Sequence, residues 1–283
     1  MAIEVLPLSG ALGAEVRGIK VAEMDEESFQ IINQILLDHA VIYLRDQQIT
    51  PDQQLTFARH WNEVHLHPYL RGLREFPEIM EIVREPNDPI GFGDHWHTDQ
   101  IFTPRPAMAT MLYAKVVPPV GGDTLFASTT RAYDALSDGM KRMLAGLRTV
   151  NQYDKAAPRS ANMQGKIPHK NQPTDTATHP LVRVHPETGR PSLYLTDIQT
   201  TRRFEGMTEE ESQPIITFLL HHATRPDFTC RLSWQPGTLG IWDNRCTLHM
   251  ALNDYAGHRR VMHRITIEGN APVSLYEWDA AAE

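Results

Sequence analysis

The segment Asp94-His95-Trp96-His97-Thr98-Asp99 concentrates groups that can hold a metal ion. In extended chain, residues two apart project to the same side. His97 and Asp99 could therefore grip one cation between an imidazole nitrogen and a carboxylate oxygen. His95 shares that phase, so spacing alone leaves it open as the ligand. A single His-x-Asp is a weak signal in a chain with 14 histidines, where a hydrogen-bonded surface pair gives the same pattern. The C-terminal run Trp242-Asp243-Asn244-Arg245-Cys246-Thr247-Leu248-His249 strengthens it by offering a third ligand, His249. Two histidines and one carboxylate occupy one face of an octahedral iron(II) and leave positions for a chelating cosubstrate and oxygen.

A second chemical signal lies in Arg259-Arg260-Val261-Met262-His263-Arg264. Strand alternation puts Arg260, Met262 and Arg264 on one face. Two arginines facing an interior are costly unless each meets an anion. Guanidinium pairs with carboxylate or sulfonate through two parallel hydrogen bonds. Cα atoms four residues apart on a strand are roughly 13 Å apart, which is room for two anions, one per arginine.

The elements that must carry these groups are partly readable. Ile3–Leu8 reads as a strand, followed by a Gly-punctuated loop. Residues 25–39 form an amphipathic helix through Phe29, Ile32, Ile35 and Leu36. Val41–Leu44 is a short buried strand. Thr50-Pro51-Asp52-Gln53 is a helix start with a capping box. Strands are expected at 79–83, 108–117, 230–234, 239–243 and 261–269, and helices at 130–136, 138–147 and from Thr208 to about His222. Leu181–Val184 and Ser192–Thr196 flank Pro-Glu-Thr-Gly-Arg as a hairpin. Between 151 and 178 the periodicity vanishes, and a long loop is expected, of a length usually found in lids. Strands dominate the second half, which points to an α+β protein with an antiparallel core.

Composition sets the outer limits. The chain has 283 residues, a net charge of −8 and only two cysteines, Cys230 and Cys246. The acidic balance argues against nucleic-acid or anionic-membrane partners. Two cysteines exclude a disulfide framework or a cysteine zinc cluster and fit a reducing compartment. The first residues lack a signal-peptide pattern and no run approaches the length of a membrane span, so a cytoplasmic location is expected.

Taken together, Trp96-His97-Thr98-Asp99, Gly121-Gly122-Asp123-Thr124, Trp242-Asp243-Asn244-Arg245 with His249, and Arg259-Arg260 through His263-Arg264 resemble the taurine/2,4-dichlorophenoxyacetate dioxygenase family. These are iron(II)- and 2-oxoglutarate-dependent oxygenases, and the resemblance covers nearly the whole chain. It implies one domain over 1–283 with a double-stranded β-helix (jelly-roll, cupin-like) core, flanking helices and a lid at about 151–178. It implies His97, Asp99 and His249 as iron ligands, and favours His97 over His95 because His97 lies between Trp96 and Thr98. Thr124 and Arg260 would bind the distal carboxylate of 2-oxoglutarate. Arg264 would bind the anionic head of the substrate, helped by His67. Dioxygen, iron(II) and 2-oxoglutarate would react to give succinate, carbon dioxide and a substrate hydroxylated next to its anionic head. The family commonly forms dimers or tetramers.

Three pocket positions depart from the taurine enzyme's pattern. Tyr69 and Leu70 stand where that enzyme has a tyrosine at the second position, and Gln199 replaces a phenylalanine; Gly93 replaces an asparagine. These changes weaken the case for taurine itself; the candidates are an alkylsulfonate such as taurine, an aryloxyalkanoate, an alkyl sulfate ester or another small organic acid. The segments around Phe204–Thr208, His222–Cys230 and Asp254–Gly257 look like the aryloxyalkanoate-cleaving branch. A non-catalytic zinc-binding cupin-like sensor or structural protein is the competing reading, since the same triad could hold zinc. Arg260 and Thr124 speak against it, because a sensor needs no dicarboxylate clamp.

Overall fold

The computed structural model describes residues 3–66, 72–88, 93–153 and 176–282. Its largest element is a seven-stranded sheet. Across the sheet the strands run Glu4–Pro7, Ala14–Arg17, Val41–Leu44, Leu239–Asp243, Ala109–Val116, Arg260–Ile267 and Met80–Arg84. Ala14–Arg17 and Val41–Leu44 are parallel, and the helix Glu26–His39 supplies the crossover that a parallel pair requires. The other pairs in this sheet are antiparallel.

Local chemistry explains the helices on its outer face. Asp25 caps the first by accepting from the Ser28 N–H, and Ala40 closes it in a left-handed conformation. Thr50 and Gln53 form the expected reciprocal capping box for Pro51–Arg59. Phe29, Ile32, Leu36, Leu55 and Phe57 from these helices pack on Ile42, Leu44, Ile241 and Ile265 of the sheet. The opposite face presents Val41, Tyr43, Leu112, Trp242 and Met262 to Phe126, Cys230, Leu232 and Trp234. Phe126, Cys230 and Leu232 belong to a second, three-stranded sheet, ordered Thr229–Leu232, Thr124–Ser128, Thr247–Ala251. The site described below lies between these two sheets.

Met262 in that inter-sheet layer fixes the phase of the strand Arg260–Ile267. A one-residue slip would turn Met262 outward and carry Arg260 and Arg264 to the helix-covered face. All eight residues of this strand are buried, which is why its polar members need partners. A further core joins the helices Thr129–Asp134 and Glu209–Ala223 to the Pro191–Leu193/Val182–Val184 hairpin.

Two strands reach into the stretch 151–178 where a loop was expected. Asn151 and Gln152 close the strand Arg148–Gln152, and Thr176–Thr178 open the strand Thr176–Pro180, which pairs with it. Residues 154–175, the bulk of the expected lid, lie outside the described residues. Polarity hides these strands: Asn151 is buried, but its amide is satisfied by Thr149 and the Thr201 hydroxyl, so no hydrophobic alternation is needed. The strands Thr124–Ser128, Thr201–Phe204 and Thr247–Ala251 were also not expected. No helix among the described residues is long and apolar enough to cross a membrane.

Candidate metal centre

His97, Asp99 and His249 converge. Their ligand atoms all lie within 4.8 Å of one another. His97 and His249 are brought together by backbone pairing: the His97 N–H donates to the His249 carbonyl at 2.9 Å, and the His249 N–H donates back at 2.8 Å. Their ring centroids are 4.1 Å apart. From Asp99, one oxygen lies 3.9 Å from His97 Nε2 and the other 3.8 Å from His249 Nε2. His97 Nδ1 donates to the His95 carbonyl at 2.7 Å, which leaves the Nε2 lone pair facing Asp99. Glycine at 93 keeps this edge open, because a Cβ there would come within 3.0 Å of His97 Cε1 and the backbone is left-handed, with φ +73°.

His95 is not in the cluster. Its side chain is about half exposed and turns toward Asp94 and Asp197, at 3.6 and 3.7 Å. The chain turns at Asp99 and Gln100, so the shared strand phase of 95, 97 and 99 does not persist.

The protonation states suit a cation. Burial holds both imidazoles below the usual histidine range, His249 well below, so both are neutral near pH 7. Burial alone would raise the Asp99 pKa, but the Arg264 guanidinium and the two imidazoles outweigh it and hold the carboxyl well below the usual range. Two neutral imidazoles and one carboxylate are already in the form that binds metal. His249 Nδ1 is buried and without a hydrogen-bond partner among the described residues. Its ring packs against Trp242, with centroids 4.8 Å apart.

Arg264 and Arg260 have different surroundings. Arg264 Nη2 lies 2.6 Å from Asp99 Oδ1, so the anion beside it in this structure is the carboxylate itself. Arg260 is 6% exposed, and its Nε and Nη2 are buried without hydrogen-bond partners among the described residues. The Tyr255 ring lies 5.9 Å from it, and burial lowers its pKa. A buried cation in that state calls for an anionic ligand. Thr124, also buried, accepts the Trp234 indole N–H at 3.0 Å, so its own hydroxyl proton is free to donate elsewhere.

The remaining pocket positions are less informative. His67, Tyr69 and Leu70 lie outside the described residues. Gln199 is exposed and is held by its backbone N–H on Asp197. Sequence reasoning missed Thr110, Trp234 and the His65–Gln100 contact at 3.2 Å. The signal for each is the register between strands distant in sequence.

A second trio, His185, Asp243 and Cys246, also satisfies simple metal-site distances. Its chemistry is that of an ion-pair network. Asp243 accepts from Arg245 Nη2 at 2.6 Å and from His185 Nε2 at 3.0 Å, and burial pushes the Cys246 thiol up, keeping it protonated. Its oxygens are already committed.

His179 braces the segment after Asp99 by donating to the Thr103 carbonyl at 2.9 Å. Burial lowers its pKa to about 4. The unfolded chain therefore takes up a proton near pH 6.5 that the folded chain refuses until about pH 4. This group's share of stability is intact above pH 6.5 and falls by about 3 kcal/mol on acidification to pH 4. Urea midpoints across that window should fall less steeply in His179→Gln than in wild type; parallel slopes would contradict it.

A mixed-sheet fold holding two histidines and a carboxylate beside a buried arginine defines the class: a protein with a candidate metal centre and a buried cationic group suited to an anion. The family model described as "Taurine catabolism dioxygenase TauD, TfdA family" matches residues 4–266. The chain belongs to the TauD/TfdA family of dioxygenases. It is 34% identical over 283 residues to an alkylsulfatase of Acinetobacter baylyi, covering 97% of this chain and 87% of that protein. It is 32% identical over 281 residues to an alpha-ketoglutarate-dependent sulfate ester dioxygenase of Pseudomonas putida, covering 96% and 92%. A solved taurine dioxygenase from Burkholderia xenovorans superimposes with a TM-score of 0.83 at 32% identity, over 98% of this chain and 94% of that one.

Proposed function

We propose that this protein is an iron(II)- and 2-oxoglutarate-dependent dioxygenase that hydroxylates a small anionic substrate next to its anionic head, releasing succinate and carbon dioxide. The observation that carries the reading is the pairing of the His97–Asp99–His249 cluster, two neutral imidazoles and one carboxylate, with the buried Arg260, whose Nε and Nη2 have no hydrogen-bond partner among the described residues. A zinc-binding sensor would have use for the first but not the second. The same reading makes the core a double-stranded β-helix and the chain one domain over 1–283, cytoplasmic and a homodimer or homotetramer.

Iron(II), when bound, supplies the oxygen activation that 2-oxoglutarate decarboxylation drives. The residues supply position and charge. His97, Asp99 and His249 would hold the metal. Arg260 and the Thr124 hydroxyl take the distal carboxylate of 2-oxoglutarate and fix how far its 2-oxo acid end reaches. Arg264, beside Asp99, holds the substrate's anionic head and so selects the carbon presented for reaction.

Alkyl sulfate esters lead the substrate candidates, because the names of two relatives at 34% and 32% identity specify sulfate ester chemistry. Sulfonates and phenoxypropionates, named for other relatives, follow. Hydroxylation of the carbon that bears the sulfate oxygen gives a product that collapses to an aldehyde and sulfate. A panel of alkyl sulfates, taurine, longer sulfonates and phenoxy acids, read by succinate formation, tests this. Alkyl sulfates should give the highest turnover with equimolar sulfate and succinate; a preference for phenoxy acids would replace this substrate assignment.

A further inference from the structure

Asp99 supplies the charged member of the cluster, and how its carboxylate is turned decides how many oxygens it offers. Both oxygens are held from outside the cluster. Arg264 Nη2 is 2.6 Å from Oδ1, and the Thr110 hydroxyl donates to Oδ2 at 2.5 Å. The Thr110 contact ends a chain of three hydrogen bonds. Trp242 Nε1 donates to Asn244 Oδ1 at 3.0 Å, and Asn244 Nδ2 donates to Thr110 Oγ1 at 2.9 Å. The direction of the whole chain follows from its first member. An indole N–H can only donate, so it must meet the Asn244 oxygen. The Asn244 amide nitrogen then faces Thr110, whose oxygen accepts and whose proton goes on to Asp99.

Strand register builds this chain. Trp242 lies directly opposite Thr110 across the Leu239–Asp243/Ala109–Val116 pair, and the Asn244 N–H bonds the Met108 carbonyl. Every member is buried, from 0% exposure at Thr110 to 5% at Asp99, so water is a poor substitute for a missing donor.

We propose that Thr110 is a positioning residue for the iron centre, committing Asp99 Oδ2 to the protein so that the carboxylate offers one oxygen to the metal. This rests on the iron-dependent reading given above. A facial set of two histidines and one single-oxygen carboxylate leaves three of six positions open. Arg264 already engages Oδ1, so without the Thr110 proton Oδ2 is left without a donor and would be available to a metal held by His97 and His249 as a second oxygen. A carboxylate bound through both oxygens removes a position that 2-oxoglutarate or oxygen needs.

The test uses Thr110→Val, which keeps the shape and removes the proton, and Thr110→Ser, which keeps the proton. Iron(II) and 2-oxoglutarate are titrated anaerobically into each protein, and the charge-transfer absorption of the iron–2-oxoglutarate chelate is followed, so no turnover is involved. T110V should bind 2-oxoglutarate to its iron-loaded form about 10- to 100-fold more weakly, while T110S stays close to wild type. Melting of the metal-free proteins is measured in parallel. A T110V protein that melts lower but forms the chelate with wild-type affinity overturns the proposal, as does a T110S protein as impaired as T110V. Should T110V fail to fold, T110A is read by the same criteria. If wild type forms no chelate, the iron-dependent reading itself fails, and the Thr110 role falls with it.

Discussion

Asp99→Ala should abolish substrate-dependent succinate formation, with a loss of at least about 100-fold. Groups that only orient a metal ligand typically cost 10- to 100-fold when removed, and Asp99 sits inside the cluster they orient. It carries the only formal negative charge among the three proposed ligands, so two neutral imidazoles remain in its absence. The substitution also strips Arg264 of the carboxylate 2.6 Å away and leaves Thr110 Oγ1 without its acceptor. Leaving a buried charge uncompensated can cost about 3–5 kcal/mol, so activity is referred to the folded fraction measured by circular dichroism. Iron(II) binding, measured separately, should weaken in step with activity. Folded Asp99→Ala protein that retains substantial turnover would sink the ligand assignment.

Arg260→Met should separate binding from stability in opposite directions. In the structure its buried Nε and Nη2 find no hydrogen-bond partner among the described residues, so the guanidinium burdens the ligand-free protein. Methionine fills similar volume without a charge, and the metal-free variant should melt at or above the wild-type temperature. Truncating one member of a buried charge pair costs about 2–5 kcal/mol of binding. The 2-oxoglutarate requirement should therefore rise at least about 30-fold. Saturating 2-oxoglutarate should restore much of kcat, because the metal ligands are untouched. A large stability loss with an unchanged 2-oxoglutarate requirement would show that Arg260 is a structural residue.

What the sequence disclosed, and what it hid, divides along physical lines. His97, Asp99, Arg260 and Arg264 were legible because each lies in a short run where strand phase or residue chemistry is informative by itself. The capping box at Thr50 was legible for the same reason, since capping is settled within four residues. The choice between His95 and His97 was not decided by phase. It depends on a turn at Asp99 and Gln100 and on the pairing of His97 with His249. The strand bearing His249 was missed because Thr-Leu-His-Met-Ala is too short to stand out, and its partner, Thr124–Ser128, was missed with it. Thr110 was unreadable: nothing in Ala-Thr-Met-Leu marks a threonine whose value comes from lying opposite Trp242.

Arg264 shows where expectation was refined. Two inward arginines on one strand were expected to meet two separate anions. One of them meets Asp99, so the substrate's head would share a guanidinium with a proposed metal ligand. The net charge of −8 says little about any of this, because the proposed substrate and cosubstrate are anions and local cations govern their binding.

The most direct test of the central claim is oxygen uptake by the purified protein with 2-oxoglutarate and an alkyl sulfate, with and without added iron(II). Uptake should require iron(II) and 2-oxoglutarate together, match succinate one for one, and be inhibited when zinc replaces iron. A protein that binds zinc tightly at this cluster and consumes no oxygen under any of these conditions would contradict the account.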